Sequence, residues 1–353
     1  MIKNNTVLVL GAGASMPYGY PSGKGLRQML ITPSLFAPLI DRVGIKPEEI
    51  EAFCRSFMLS GMKSIDAFLA QRGDDVLVSE GLTVGEVGKH GIAIALRQNK
   101  SLDTLFHNPK SEAGSQIDLS DNWYEYLWAQ LSKGVAKSNL SEFASNRLTV
   151  VTFNYDLSLE HYLFTAFVNS FGCTGSQAAE LLKPIQFIHL YGQLFGNPLA
   201  AGLSYEFQLD EHWQQIRSDA KLIQVIDEER ELVSSNFPSA IRAIEWASRI
   251  CFLGFGFDDT NVARLDLARI FADRAEGRIA SNLELPFPKV VATSLGMENA
   301  EWRAKQKLLT QKITQRIISE ASWVEYRRVI TNGFENYAGC KSELALRRSQ
   351  ILS

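Results

Sequence analysis

The sequence predicts an α/β fold in which a parallel sheet is flanked by helices, with a mostly helical lobe inserted after the first strand. Short apolar runs alternate with longer amphipathic stretches, an alternation typical of strands joined by crossover helices. Most of the short runs end in Gly, Asn, His or Thr-Ser, and ligands in such sheets bind beyond the carboxyl ends of the strands. With 353 residues and 46% hydrophobic content, the chain can bury a core of this kind.

Five segments are predicted to be strands because they are short, nearly continuous in apolar residues and rich in β-branched side chains. They are Thr6 to Leu10, Leu148 to Thr152, Ile185 to Leu190, Arg249 to Leu253 and Lys289 to Ala292. Longer amphipathic segments are predicted to be helices, namely Leu157 to Val168, Ala240 to Ser248, Asn261 to Ala272 and Asn299 to Lys312. We expect one domain over residues 1–300 and a C-terminal extension at 301–353 that packs on it.

The gap between the first two predicted strands is long, and its pattern is mostly helical. Apolar residues recur at helical spacing in four segments, Pro47 to Met58, Ser64 to Gln71, Val84 to Leu96 and Asn122 to Lys133. This pattern predicts a helical insertion at about residues 45–145 of the same domain.

The charge balance and the cysteines disfavour several classes of protein. Lys and Arg number 36 against 39 for Asp and Glu, and the net charge of −3 gives no general reason to bind nucleic acid or an anionic membrane. The cysteines, at 54, 173, 251 and 340, form no Cys-x-x-Cys pair, which disfavours a zinc ribbon and a secreted disulfide framework. No segment approaches the roughly 20 apolar residues that span a bilayer, and the N-terminus does not resemble a signal peptide. We therefore expect a cytoplasmic protein without a metal.

A glycine-rich turn follows the first predicted strand. Gly11 and Gly13 would let backbone N–H groups approach a pyrophosphate, and the dipole of a following helix would favour its negative charge. The third glycine of the dehydrogenase fingerprint is missing, because Met16 stands there, and no acidic residue follows about 20 positions on. The Lys-Ser/Thr pair of an ATP-binding P-loop is also missing. The turn alone predicts either a dinucleotide site or a tight strand-to-helix turn that binds nothing.

Three motifs, each after a predicted strand, together resemble the sirtuin-like family. They are Gly-Ala-Gly-Ala-Ser at 11–15, Thr-Phe-Asn-Tyr-Asp at 152–156 and His-Leu-Tyr-Gly at 189–192. The resemblance is closest to the branch found in bacterial anti-phage defence systems, and it extends from the first strand to about Ser294. It implies a Rossmann-like NAD-binding catalytic domain with NAD+ as substrate, in which Asn154 and His189 act on the nicotinamide ribose.

The resemblance also implies which residues surround the bound NAD+. Asp156 would face the nicotinamide carboxamide, Gly254 would lie near the adenosine, and Thr293 and Ser294 would close the pocket. The predicted nucleotide-binding residues are Gly11, Ala12, Gly13, Ala14, Ser15, Pro21, Asp156, Gly254, Phe255, Thr293 and Ser294. Asp156 has an equal alternative interpretation as a cap for the helix that begins near Leu157.

The chemistry of NAD+ cleavage independently suits Asn154 and His189. Breaking the N-glycosidic bond passes through an oxocarbenium-like state, and nicotinamide leaves as a neutral pyridine, so no general acid is required. Asn154 can hydrogen-bond a ribose hydroxyl and a water, while a neutral His189 can accept a proton from either. The alternatives are a turn or cap residue for Asn154 and a core histidine for His189. Their shared place at strand ends favours the functional interpretation.

The chain departs from the protein-deacylating sirtuins in two places. It lacks their paired zinc cysteines, and where they carry an Asp-Phe-Arg segment it has Gly19 to Lys24. Both departures disfavour an acyl-lysine substrate and leave water as the acceptor. The leading hypothesis is an NAD+ glycohydrolase that forms nicotinamide and ADP-ribose in abortive infection. The alternatives are a regulatory module that senses NAD+ or ADP-ribose and, third, a protein deacylase.

Because NAD+ depletion is toxic, we expect a homo-oligomer or a separately encoded partner, such as a hexameric translocase ATPase of the HerA type, to control the activity. Neither a membrane nor a nucleic acid is an expected partner. The remaining histidines are predicted to be structural or surface residues, and they are His90, His107, His161 and His212. Asp66, Asp258 and Asp259 are predicted to lie at helix starts, and the alternative for Asp66 is that it approaches the site.

Overall fold

The computed structural model describes residues 1–76, 82–98, 102–107, 121–194, 196–201, 213–224, 236–275, 287–293, 298–316, 334–337 and 342–352. Six parallel strands form one sheet in the order β3-β2-β1-β4-β5-β6. They are β1 (Thr6–Leu10), β2 (Leu148–Thr152), β3 (Gln186–His189), β4 (Arg249–Leu253), β5 (Lys289–Thr293) and β6 (Phe334–Tyr337). All five predicted strands are present, and the α/β Rossmann-like fold is confirmed.

The central strand of the sheet is β1. Its Leu8 pairs in register with Val150 of β2 on one side and with Cys251 of β4 on the other. Every residue of β1 is buried, as expected for a strand covered by helices on both faces. The direction in which successive strands are added reverses between β1 and β4, and this switch point is where ligands bind in open α/β sheets.

Helices surround the sheet and also fill the segment between β1 and β2. Those before β2 are α1 (Gly23–Leu30), α2 (Ala37–Val43), α3 (Pro47–Leu59), α4 (Ile65–Arg72), α5 (Val84–Arg97), α6 (Leu102–Leu105) and α7 (Trp123–Ser132). Those after it are α8 (Ser158–Phe171), α9 (Gly175–Leu182), α10 (Pro198–Ala201), α11 (Trp213–Leu222), α12 (Phe237–Trp246), α13 (Asp259–Arg264), α14 (Leu267–Ala275), α15 (Asn299–Arg316) and α16 (Ser342–Ser349). Four short 3-10 segments complete the description, Ala12–Ala14, Met16–Tyr18, Pro33–Phe36 and Lys137–Ser145.

The helical insertion is fastened to the glycine-rich turn. The indole Nε1 of Trp123, the first residue of α7, donates a 2.8 Å hydrogen bond to the carbonyl of Ala14. The neighbouring Tyr124 stacks on Tyr18, with ring centroids 3.6 Å apart and ring planes 6° apart. These contacts hold the start of α7 above the carboxyl end of β1.

The predicted helix from Asn261 to Ala272 is in fact two helices, α13 and α14. Asp266 lies between them in a left-handed conformation, with φ of 48°, which an α-helix cannot contain. Its carboxylate accepts a hydrogen bond from Arg269 one turn further on. The apolar spacing continues across the break, so the pattern alone did not reveal it.

The C-terminal part of the chain completes one edge of the sheet. Strand β6, which was not predicted, pairs with β5 so that Val290 lies opposite Phe334. Beyond α16, Ile351 is buried, and its carbonyl accepts a 2.7 Å hydrogen bond from Arg249 at the start of β4. Among the described residues, no helix is long and apolar enough to cross a membrane.

Candidate functional site

The glycines of the turn after β1 are explained by its contact with the turn after β4. The N–H groups of Gly11 and Gly13 donate to the carbonyls of Leu253 and Gly254, at 3.1 and 3.2 Å. A Cβ added to Gly11 would lie 2.5 Å from the Gly254 carbonyl oxygen. One added to Gly254, whose φ is 56°, would lie 2.1 Å from the backbone nitrogen of Ala14. The two turns therefore touch backbone to backbone at the switch point.

No long helix follows the glycine turn directly, which corrects the expectation of a helix dipole at that point. Two 3-10 segments come first, and the N–H groups of Ala14 and Ser15 donate to the carbonyls of Gly11 and Ala12. Helix α1 begins only at Gly23, after half-buried Pro21 and after Ser22, whose hydroxyl caps it. The N–H groups at 11, 13, 14 and 15 are thus all used within the protein.

Asn154 lies two residues beyond the end of β2 and is only 9% exposed. Its side-chain Nδ2 donates to the carbonyl of Gly11 and to the hydroxyl of Ser15, both at 3.0 Å. Because an amide nitrogen has two hydrogens, both of its donors are engaged. The side-chain carbonyl oxygen Oδ1 is the part of Asn154 that can accept a hydrogen from a water or a ribose hydroxyl.

His189 is the last residue of β3, is 4% exposed, and contacts Asn154 directly. Its Nδ1 lies 3.0 Å from the backbone carbonyl of Asn154, and its Nε2 lies 2.6 Å from a carboxylate oxygen of Glu160. A carbonyl oxygen only accepts, so Nδ1 must carry a hydrogen. The predicted pair of strand-end residues is thus brought together, with both ring nitrogens of His189 in hydrogen bonds.

The carboxylate of Glu160 decides the protonation of His189. Burial by itself lowers the pKa of this imidazole, but the charge and hydrogen bond of Glu160 outweigh burial and raise the pKa above its ordinary value. A raised pKa favours the imidazolium over the neutral ring that the sequence analysis predicts. In this arrangement His189 donates at both nitrogens and has no lone pair with which to accept a proton.

Asp156 belongs to a second set of hydrogen-bonded side chains, beside the set formed by Asn154, His189 and Glu160. One of its carboxylate oxygens accepts from the backbone N–H of Ser158 at 3.1 Å and from the Ser158 hydroxyl. The Ser158 hydroxyl oxygen in turn lies 2.6 Å from the phenol oxygen of Tyr124, which reaches it from α7. Asp156 therefore serves the start of α8, as its alternative interpretation proposed. A carboxylate has two oxygens, so this bond leaves its second oxygen for another partner.

A small cavity lies where these side chains converge. Its volume is about 10 Å³, which is room for roughly one water molecule. The polar side chains that line it are Ser15, Tyr124, Thr152, Asn154, Asp156 and Glu160. A nicotinamide ring does not fit in this space. Substrate must therefore reach Asn154 from outside this cavity, or the surrounding side chains must move.

Asp66 lies in the first turn of α4, as predicted, and it also reaches the carboxyl end of the sheet, which was its alternative interpretation. Its carboxylate accepts a hydrogen bond from the hydroxyl of Tyr155. Burial raises the pKa of Asp66, and the hydrogen bond from Tyr155 and the charge of Arg264 only partly oppose that rise. Arg264 also donates to the Tyr191 hydroxyl at 2.6 Å. Helices α4 and α13 thus each supply an ionisable side chain near the ends of β2 and β3.

The residues predicted for the adenosine side have internal partners. Phe255 is buried, with its ring centroid 5.2 Å from that of Phe153. The hydroxyl of Thr293 accepts a 3.0 Å hydrogen bond from the N–H of Gly254. Ser294, predicted beside it, lies outside the described residues. These side chains shape the turn after β4.

Glu160, Ser158 and Tyr124 were not predicted as site residues from the sequence. A signal for Glu160 was present, because it follows Asp156 by four residues, in the first turn of the helix that begins just after Asp156. Of the other predictions, Asp258 caps α13 through hydrogen bonds from the N–H groups of Thr260 and Asn261. Burial lowers the pKa of His161 to about 4, so this histidine is neutral at pH 7.

We expect Glu160→Gln to change how stability depends on pH. The folded-state pKa of His189 is raised above the ordinary value of about 6.5. The His189–Glu160 pair therefore stabilises the fold fully below pH of about 6.5, and this stabilisation is lost as pH rises through the raised pKa. The variant keeps a hydrogen-bonding side chain but loses the charge, which we expect to cost about 1–3 kcal/mol at low pH.

Thermal unfolding of the wild type and the variant between pH of about 5.5 and 9 measures this effect. The pH range is chosen to begin below the ordinary pKa of histidine and to extend well above it. The gap between the two melting temperatures should narrow as pH rises. Parallel curves would show that Glu160 does not control the protonation of His189. Glu86→Gln on α5 is the matched control, because that exposed carboxylate lies in a capping box with Thr83 and contacts no site residue in the described hydrogen bonds.

No group of three or more His, Cys, Asp or Glu side chains that could hold a metal ion occurs among the described residues. Cys54, Cys173 and Cys251 are free, and Cys340 lies outside the described residues. The candidate site therefore consists of an amide, an imidazole paired with a carboxylate, and a second carboxylate, grouped at adjacent strand ends.

No protein-family model matches the chain, and no curated protein matches it.

Proposed function

We propose that the chain is an NAD+ glycohydrolase that cleaves NAD+ to nicotinamide and ADP-ribose. The observation that carries the proposal is the direct hydrogen bond between His189 and the backbone of Asn154, at adjacent strand ends near the switch point. The three motifs that resemble the sirtuin-like family meet at this place, since Asn154 also bonds Gly11 and Ser15.

The proposed reaction consumes one water. The bond between ribose C1′ and the pyridinium nitrogen breaks, and its electron pair leaves with nicotinamide, which becomes neutral. The oxygen of water forms the new bond to C1′, and the water loses one proton. Positive charge develops on the ribose in the transition state, and buried carboxylates nearby stabilise such charge. Asp156 and Glu160 are the carboxylates available for this.

The geometry suits three side chains to three different roles in this reaction. Asn154 offers Oδ1 to the attacking water or to a ribose hydroxyl, since its Nδ2 is engaged. His189, held between the Asn154 carbonyl and Glu160, is a positioning residue that fixes the backbone of Asn154. Asp156 lines the same cavity, and we assign its second carboxylate oxygen as the acceptor of the proton that water loses.

The small cavity implies that activity depends on a rearrangement. Tyr124 covers the site from α7, so movement of the helical insertion would widen the space around Asn154. This agrees with the expectation that a toxic NAD+ hydrolase is restrained until triggered. We propose that the chain is an effector of anti-phage defence in the cytoplasm, controlled by self-association or by a separately encoded partner such as a hexameric translocase ATPase.

A second candidate function is a module that senses NAD+ or an ADP-ribose nucleotide without turnover. The observation that favours it is the full use of Asn154 Nδ2 and of both His189 nitrogens within the protein. Groups engaged in this way can hold a conformation that a nucleotide then changes. Protein deacylation is the third candidate, and it requires a peptide substrate.

The deciding experiment incubates the purified chain with NAD+, alone and with its candidate partner, and measures nicotinamide and ADP-ribose by chromatography. Equal release of both products without any peptide supports the glycohydrolase. Calorimetric binding of NAD+ without product supports the sensing module. Nicotinamide release that needs an acylated peptide supports the deacylase. Absence of both binding and turnover in every condition overturns all three.

A further inference from the structure

A large groove lies at the opposite end of the sheet from Asn154. Its volume is about 540 Å³, within the usual range of about 300–1,000 Å³ for small-molecule sites. One wall is formed by the amino ends of β1, β2 and β3, and the other by α12. We call it the amino-end groove. It shares no lining residue with the cavity beside Asn154.

Helix α12 presents one continuous face to the groove. Ser239, Arg242, Ala243 and Trp246 line it, and their spacing of three, one and three residues places them on the same side of a helix. Trp246, at the end of α12, is 38% exposed, although the chain buries most of its large aromatic side chains. An exposed indole beside a groove offers a flat surface on which a planar ring can stack.

Two arginines give the groove a positive charge. Arg147, immediately before β2, lies on the strand side, and its backbone is held by hydrogen bonds with Ile2 and Thr6. Arg242 lies on the α12 side. The side chains of both are exposed, and neither forms an ion pair with any residue that the structure describes. By contrast, Arg269 contacts three carboxylates.

The other described residues that line the groove are neutral. None of them is acidic, while Gln186, Ser239 and Thr149 supply hydrogen-bond donors and acceptors. Two unpaired guanidinium groups in a chain whose net charge is −3 mark a local preference for anions. Guanidinium groups match the geometry of phosphate oxygens and bind them in pairs of hydrogen bonds.

We propose that the amino-end groove is a second ligand site that binds a nucleoside phosphate. Arg147 and Arg242 hold the phosphate, the base stacks on Trp246, and Gln186 bonds the ribose or the edge of the base. The site is separate from the proposed NAD+ site, because the two lie at opposite ends of β1. Thr6, the first residue of β1, lines the groove, and the glycine turn follows Leu10, the last residue of β1. Five strand residues at about 3.3 Å each separate the two ends by roughly 16 Å.

The test is calorimetric titration of the full chain with AMP, ADP and GMP, with adenosine and inorganic phosphate as partial probes. We expect Arg147→Ala and Arg242→Ala each to weaken nucleotide binding at least about tenfold, since hydrogen bonds to charged groups contribute strongly. Trp246→Leu should weaken binding of AMP and adenosine but not of phosphate. Arg55→Ala is the matched control, because that exposed arginine on α3 does not line the groove.

Two results would overturn the proposal. One is nucleotide binding that is unchanged in the Arg147→Ala/Arg242→Ala double variant, which would place the nucleotide at the carboxyl end of the sheet instead. The other is no binding of any of the three nucleotides at roughly 1 mM, a concentration that detects even weak sites. Both arginines are exposed, so the variants should fold, and their melting temperatures check this directly.

Discussion

Asn154→Ala is expected to reduce NAD+ hydrolysis by about 100-fold or more. The substitution removes the carbonyl oxygen that positions the attacking water, and losing one such preorganised group typically costs this much in rate. It also removes two hydrogen bonds, to Gly11 and to Ser15, so stability should fall by about 1–3 kcal/mol. The measurement is the initial rate of nicotinamide release at matched concentrations of folded protein.

Lys183→Ala serves as the control for this experiment, because its side chain is exposed at the end of α9 and pairs only with Glu180 among the described residues. His189→Ala should lower kcat with little change in KM, since we assign His189 to positioning and not to substrate contact. Full activity of Asn154→Ala would show that the protein hydrolyses NAD+ without any catalytic role for this side chain.

Gly254→Ala is expected to be among the most damaging single-methyl changes at the described glycines. Its added Cβ would lie 2.1 Å from the Ala14 nitrogen, at a φ of 56° that alanine adopts only with strain. Relief requires the turn after β4 to move away from the glycine turn, which would break the hydrogen bonds at Gly11 and Gly13. We expect the free energy of unfolding to fall by about 3 kcal/mol or more, and a larger loss would impair folding itself.

Gly256→Ala is the matched control two residues away, because nothing lies within 4 Å of its added Cβ. In denaturant unfolding, the free energies of unfolding of the two variants should differ by most of the loss predicted for Gly254→Ala. Similar midpoints would show that the two turns are free to separate. Such freedom would also mean that the contact at the switch point does not define the shape of the site.

The strands were predictable because buried parallel strands consist of short apolar runs, as in Leu148–Thr152 and Arg249–Leu253. Strand β6 was not, because Phe-Glu-Asn-Tyr is short and half polar and lies at an edge where a neighbour covers only one side. The order of the strands was also beyond the sequence, because both pairings of the central strand β1 join residues more than 100 positions apart, such as Leu8 and Val150.

The candidate site was predictable where its residues lie at or shortly after the ends of strands, as Asn154, Asp156 and His189 do. Asn154 and His189 were found in this way, and the structure places them in contact. Glu160 was missed because an acidic residue in the first turn of a helix is common, and its spacing from Asp156 does not show that it contacts His189. Gly11 and Gly13 were correctly singled out as positions of close approach, but in the structure the group that approaches them is the backbone of Gly254.

The central position of β1 has a consequence for the order in which the protein is made. Its partners, β2 and β4, begin 138 and 239 residues after Leu10, at Leu148 and Arg249. At about 5–20 residues per second, a ribosome needs roughly 12–48 s to reach the second partner. We infer that the apolar strand Thr6–Leu10 lacks at least one of its two neighbouring strands through that interval and is a target for chaperones. Protease protection of β1 in arrested nascent chains that end before and after residue 253 would measure when this exposure stops.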